Sequence, residues 1–132
     1  MPGYHKYVFD TDKREFVGEF EKMYQAEDSQ GFDSWLERDL RPLRKTISYA
    51  ILSAYNFSRI LDIGCGKGTF THLLKKQNNH VVGIDLSETA IRKAQASFPD
   101  IDFRCQNILD LGGGCIRLGG CDGHVCIYKW MV

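Results

Sequence analysis

The chain changes its hydrophobic rhythm twice. Phe16, Val17, Phe20, Met23 and Tyr24 fall on one face of a helix, and Asp12 and Glu15 have the spacing of a capping box at its start. The polar run Gln25 to Gly31 predicts a loop. Leu36, Leu40, Leu43, Ile47, Ala50, Ile51 and Ala54 then step mostly by three or four, which predicts a second helix to about Tyr55, starting or bending near Pro42. From Arg59 the rhythm shortens. Arg59 to Ile63, His80 to Asp85 and Ile101 to Cys105 are short runs rich in β-branched and apolar residues, predicting buried parallel strands. Between them, Thr69 to Gln77 carries Phe70, Leu73 and Leu74 inward. A further helix follows the N-cap Ser87 with Ala90, Ile91, Ala94 and Phe98 inward, and Pro99 stops it. Strand, loop, helix, strand, helix, strand is the opening half of a doubly wound α/β sheet. The two N-terminal helices precede it, placed to cover its ligand edge.

Beyond Leu111 the pattern stops. Residues 112 to 121 hold five glycines and two cysteines and build no amphipathic element, and His124 to Tyr128 reads as one more strand. The division expected is an N-terminal helical extension over residues 1–58 and an α/β domain over 59–132, with 112–132 atypical.

Composition narrows the class. The chain has 132 residues, enough for one domain, and its 43% hydrophobic share is that of a globular protein. Seventeen basic and seventeen acidic residues cancel, which argues against nucleic acid as partner, a local basic patch aside. No run approaches the roughly 20 apolar residues of a membrane span, and the N-terminus lacks a signal-peptide core, so the protein is expected in the cytoplasm. Five cysteines without C-x-x-C read as reduced thiols. Cys115, Cys121, His124 and Cys126 are zinc ligands by type, but their spacing fits no common site, and no metal is expected.

Candidate chemistry centres on Gly64-Cys65-Gly66-Lys67-Gly68, which closes a strand and opens a helix. Such a loop admits a ligand close to the backbone. A nucleoside triphosphate loop needs a first glycine where Leu61 stands and Ser or Thr after the lysine, where Gly68 stands. A dinucleotide loop, G-x-G-x-x-G/A, is met by Gly64 and Gly66 but has Thr69 at its third position. Asp85, at the end of the second strand, is suited to a ribose diol under either a dinucleotide or another nucleoside cofactor. The plainer alternative is a carboxylate at a helix N-terminus.

Leu61-Asp62-Ile63-Gly64-Cys65-Gly66-Lys67-Gly68 resembles motif I of the class I S-adenosylmethionine-dependent methyltransferases. The resemblance covers about Arg59 to Leu111. It implies a Rossmann-like, mostly parallel sheet, incomplete here, and S-adenosylmethionine as cofactor. The implied contacts are Asp62, Gly64, Cys65 and Gly66 at the methionine end, Asp85 and Leu86 at the ribose, and Asn107 and Ile108 at adenine. Asn107 replaces the aspartate usual in that family, and as a plain turn residue it needs no ligand.

Methyl transfer from a sulfonium needs orientation and electrostatics more than a metal or a covalent intermediate. His5, His72, His80 and His124 qualify as bases by type only, so no catalytic residue is singled out. Tyr4, Tyr7, Tyr24 and Trp35 are aromatic and placed to hold a sulfonium. The plainer expectation is packing for Tyr24 and a surface anchor for Trp35.

The reading is a methyltransferase domain acting on a small-molecule acceptor. Alternatives are a shortened, non-catalytic form that binds cofactor weakly or works through a partner, and a dinucleotide-binding oxidoreductase fragment. The resembled family's sheet has seven strands, so the C-terminus reads as truncated, with the glycine- and cysteine-rich stretch within 112–132 resembling sequence from another reading frame or splice form, or a low-complexity insertion. A half-sheet also leaves an open strand edge liable to self-association.

Overall fold

A computed structural model describes residues 3–37, 39 and 41–111, together with the backbone of 124–128. The zinc-type cysteines Cys115 and Cys121 and the glycine-rich stretch fall outside the described residues.

The N-terminus differs from its helical expectation. A single 3-10 turn (His5–Tyr7) leads into a two-stranded antiparallel hairpin of β1 (Phe9–Asp10) and β2 (Glu15–Phe16), pairing Phe9 with Phe16. The Asp10 carboxylate accepts from the Asp12 and Lys13 amides, closing the turn where a capping box was expected. Gly18 then takes a left-handed conformation (φ 68°), so no helix passes through it. The aromatic spacing fits a helix and a hairpin equally, and the turn chemistry decides.

Helix α1 runs Phe20–Gln30, through the segment expected to be a loop, and ends at left-handed Gly31, whose amide donates to the Glu27 carbonyl. Its buried face holds Met23, Tyr24 and Glu27. A charge among the inward positions is why the apolar pattern faded. A 3-10 turn (Ser34–Leu36) follows, so the expected helix does not begin at Leu36. Helix α2 spans Leu43–Ser53, starting directly after Pro42 and ending two residues early.

Strands β3 (Arg59–Ile63) and β4 (His80–Asp85) lie where the sequence places them, and β5 is Asp102–Cys105. Helix α3 is Thr69–Leu74, shorter than expected, and α4 is Glu88–Ser97. Ser87 caps α4, its hydroxyl accepting from the Ala90 amide. Strand β6 (His124–Tyr128) joins the sheet, which is parallel throughout and ordered β5-β4-β3-β6. The chain therefore adds strands to one side of β3 and then crosses to its other side. That reversal is the topological switch point of a doubly wound sheet, where ligands bind outside the carboxyl ends of the strands.

Two apolar clusters clamp the sheet. Ile60, Phe70, Leu74 and Val81 gather under α3, joined by Leu52 and Phe57. Cys65, Ile91, Ala94, Ile101 and Phe103 gather under α4. A third cluster joins Tyr4, Met23 and Tyr24 to Ala90, seating α1 on α4. Trp35 belongs to this cluster's rim, its ring centroid 5.6 Å from Tyr4 and 6.3 Å from Phe20. It packs between aromatic rings and is no isolated surface anchor. Among the described residues no helix is long and apolar enough to cross a membrane.

Candidate functional site

Three loops leave the carboxyl ends of adjacent strands, and hydrogen bonds stitch them together. Asp85, the last residue of β4, accepts the Gly66 amide on one oxygen (2.8 Å) and the Ser87 amide on the other (2.9 Å). Its own carbonyl accepts the Gln106 amide at 3.0 Å, which draws in the segment after β5. The sequence-predicted residues of the glycine loop, Asp85–Leu86 and Asn107–Ile108 thus share one sheet edge.

Their local roles differ. Gly64 has φ 73°, and a Cβ added there would meet none of the described residues within 4 Å. Gly66 is the reverse case. A Cβ there would come within 1.9 Å of Glu37 Oε1 and 2.7 Å of the Tyr24 hydroxyl. Cys65 is fully buried in the α4 cluster, so its side chain builds core. Asp62 is also fully buried and accepts from the Thr71 hydroxyl at 2.6 Å, tying β3 to α3 behind the loop. Leu86 is exposed, and its carbonyl accepts from the Cys105 thiol. Asn107 caps the 3-10 turn Ile108–Asp110, its side-chain oxygen accepting from the Leu109 amide at 3.0 Å. Asn107 and Ile108 are both partly exposed.

The glycine-loop amides are all accounted for. Those of Gly64 and Cys65 donate to the Ile84 carbonyl, that of Gly66 to Asp85, that of Lys67 to Glu37 (2.9 Å), and that of Gly68 to the Cys65 carbonyl. A phosphate-binding loop needs such amides for anionic oxygens. Here none of the five is left for one, and two already face carboxylates.

Several residues of this arrangement escaped the sequence. Glu37 Oε1 accepts the Tyr24 hydroxyl at 2.9 Å, while Oε2 takes the Lys67 amide. Burial, then the charges of Glu37 and Asp85, push the Tyr24 phenol well above its ordinary value. The buried Lys67 ammonium reaches Glu27 at 2.6 Å and also Asp33, and Lys93 meets Glu27 at 2.9 Å and Asp28 at 3.1 Å. Burial pushes the Glu27 carboxyl up, but hydrogen bonds from the two lysines and the Ser34 amide outweigh it and hold the pKa low. Glu21 accepts from the Ser87 hydroxyl, the Thr89 amide and the Thr89 hydroxyl. Partial burial raises its pKa, but those donors and Gln25 bring it down to about 2. A readable signal existed: Glu21, Tyr24 and Glu27 recur every three residues on α1, a polar stripe beside Phe20 and Met23.

The histidines stand elsewhere. His5 stacks on Tyr4 and His72 on Phe98. His80 and His124 begin their strands, at the sheet edge opposite the glycine loop. Among the described residues, no group of three or more His, Cys, Asp or Glu is arranged to hold a metal ion.

Strand order and a glycine loop at the switch point define a Rossmann-like α/β domain. The family model described as a methyltransferase domain matches residues 60–130, and the chain belongs to that family. Among curated relatives, the ubiquinone biosynthesis O-methyltransferase of Xylella fastidiosa is 40% identical over 58 residues, 41% of this chain and 24% of the relative. That of Paracidovorax citrulli is 32% identical over 79 residues, 52% of this chain and 33% of the relative. The chain thus spans between a quarter and a third of the length of these relatives. The magnesium protoporphyrin IX methyltransferase of Synechocystis PCC 6803, solved with bound SAM, aligns with TM-score 0.46 and 27% identity over 52% of this chain and 38% of that one.

Proposed function

We propose that the chain binds S-adenosylmethionine along the edge formed by the glycine loop, Asp85–Leu86 and Asn107–Ile108, and serves methyl transfer to a small-molecule acceptor in the cytoplasm. The observation that carries this is the pairing of the Gly66 and Lys67 amides with Asp85 and Glu37. A loop so paired favours a sulfonium and an ammonium over a pyrophosphate, which also counts against a dinucleotide. The ubiquinone-biosynthesis relatives support a small acceptor.

In this reading each residue has a stated task. Gly64 leaves room for the methionine portion, because no described residue stands within 4 Å of where its side chain would be. Asp62 contributes buried negative charge behind the loop and anchors α3 through Thr71. Cys65 keeps the loop pinned to the core. Asp85 accepts two amides at the carboxyl end of its strand, and its carboxylate is the acceptor suited to a ribose diol. Asn107 offers its amide oxygen to an adenine amino group, and Ile108 and Leu86 offer apolar surface. The bound cofactor supplies an electrophilic methyl group for in-line displacement, and the protein supplies orientation and charge. Residues 1–58 act as the extension that closes this edge.

Calorimetry with S-adenosylmethionine, S-adenosylhomocysteine and NAD tests the proposal. Saturable binding of the first two, lost in Asp85→Ala, is the expected result. Saturable NAD binding in their place overturns it.

A further inference from the structure

The turn after β4 is held from outside the sheet. Asp85, Leu86 and Ser87 join the strand to α4, and the Ser87 amide closes back on Asp85 Oδ1 at 2.9 Å. Together with the Gly66 amide on Oδ2, that bond takes part in fixing which way the carboxylate faces. Where Ser87 stands therefore bears on where Asp85 points.

Ser87 is 0% exposed, and a hydroxyl proton left without an acceptor there would be buried unpaired. Its oxygen accepts from the Ala90 amide at 3.0 Å, the capping bond of α4. Its proton goes to Glu21 Oε2 at 2.6 Å, on a residue 66 positions earlier in the chain. The same Glu21 oxygen accepts the Thr89 amide at 3.2 Å. The other accepts the Thr89 hydroxyl at 2.5 Å and the Gln25 side-chain amide at 2.8 Å. Four donors thus converge on two oxygens. An amide in place of the carboxylate would turn an N–H toward one of the two pairs.

Helix α1 gives Glu21 a firm seat. Met23 and Tyr24 pack on Ala90, and Lys93 donates to the Tyr24 carbonyl at 3.2 Å. The carboxylate is carried to the first turn of α4, where negative charge suits the helix dipole.

We infer that Glu21 is a positioning residue, which acts through the Ser87 hydroxyl to hold the Asp85 carboxylate in the orientation that receives the ribose diol of the cofactor. This rests on the cofactor reading above, which gives Asp85 that task and Glu21 none. Ribose recognition by the sheet then depends on a helix that precedes the sheet.

Calorimetry on the full chain tests this with S-adenosylhomocysteine and with its analogue lacking both ribose hydroxyls. The unsubstituted protein is expected to bind the analogue on the order of a hundredfold more weakly, as for two hydrogen bonds to a charged acceptor. Glu21→Gln is expected to narrow that ratio about tenfold, the share of one such bond, by weakening S-adenosylhomocysteine. Ser87→Ala removes the linking hydroxyl and should narrow it likewise, which decides the matter even where Glu21→Gln does not fold. Thr89→Val loosens the hold of Glu21 on α4 but leaves the Ser87 bond, so the ratio should stay as it is. A Glu21 that only stabilises the fold would weaken both ligands alike. An unchanged ratio in Glu21→Gln or Ser87→Ala, or an equal narrowing in Thr89→Val, overturns the inference while leaving the cofactor reading intact. So does an unsubstituted chain that binds S-adenosylhomocysteine and the analogue equally. Binding of neither ligand to the unsubstituted chain removes the cofactor reading and the inference with it.

Discussion

Helices α1 and α2 are of equal length and adjacent in sequence, yet they do opposite work. Helix α1 lies on α4 and directs Glu21, Tyr24 and Glu27 toward the loops at the ligand edge, bonding Ser87, Thr89, Lys67 and Lys93 on the way. Helix α2 packs beside α3 through apolar contact at Leu52, and leaves Leu43, Ile47 and Ile51 exposed on one stripe. Its link to the site is Lys45, at its first turn. The contrast teaches that closeness to a site cannot be judged from amphipathicity. The helix with the plainer apolar pattern is scaffold, and the one whose inward face carries charge is part of the site.

The sharpest way to break this comparison is to remove a buried charge beneath α1. Lys67→Ala leaves Glu27 and Asp33 without their shared ammonium and is expected to cost about 3–5 kcal/mol in urea unfolding. A loss under 1 kcal/mol would show that the network is not closed. Next come the glycines. Gly66→Ala drives a methyl group into Glu37 and should cost about 2–3 kcal/mol. Gly64→Ala meets open space and should cost only the left-handed backbone penalty of about 1–2 kcal/mol, while losing more cofactor affinity than stability. Equal stability losses would remove the distinction drawn between the two glycines.

Ser87→Ala removes both the α4 cap and a donor to Glu21, with an expected loss of about 1–2 kcal/mol. Glu21 also gives the comparison a pH signature. Its folded pKa of about 2 lies below the ordinary 4.5, so its contribution is complete above that ordinary value and fades as pH falls toward about 2. Glu21→Gln should therefore flatten the acid limb of the stability curve, and an unaltered limb would count against the contact. The smallest effect is expected on α2, where Leu43→Ser or Ile51→Ser should shift stability by no more than about 0.5 kcal/mol. A larger loss at either position would mean that the stripe is covered.

What could be read in advance follows the same divide. Strands β3 and β4 and the cap of α4 were legible because each is local: a β-branched run stopped by glycine or aspartate, or a serine three residues before the amide it bonds. The shared edge of the glycine loop, Asp85 and Asn107 followed from strand order. The hairpin was missed because its decisive element is the Asp10 side chain folding back on the Asp12 and Lys13 amides, which leaves no periodic trace. Glu37 was missed because its partners lie 13 and 30 positions away and nothing about an isolated glutamate announces burial.

The strand order also bears on how the protein assembles. Arg59 pairs with His80 on one side and with His124 on the other. The first pairing closes a short connection, and the second spans most of the α/β part of the chain, so its closure entropy is larger and it is expected to form later. On a ribosome, β3, β4 and β5 emerge together, while β3 waits with one flank bare for β6. The glycine loop grows out of that waiting flank. The crevice at the switch point is thus walled in on its β6 side only after the β3, β4 and β5 side has formed, and a ligand resident there would bear on that later pairing as much as on the folded sheet.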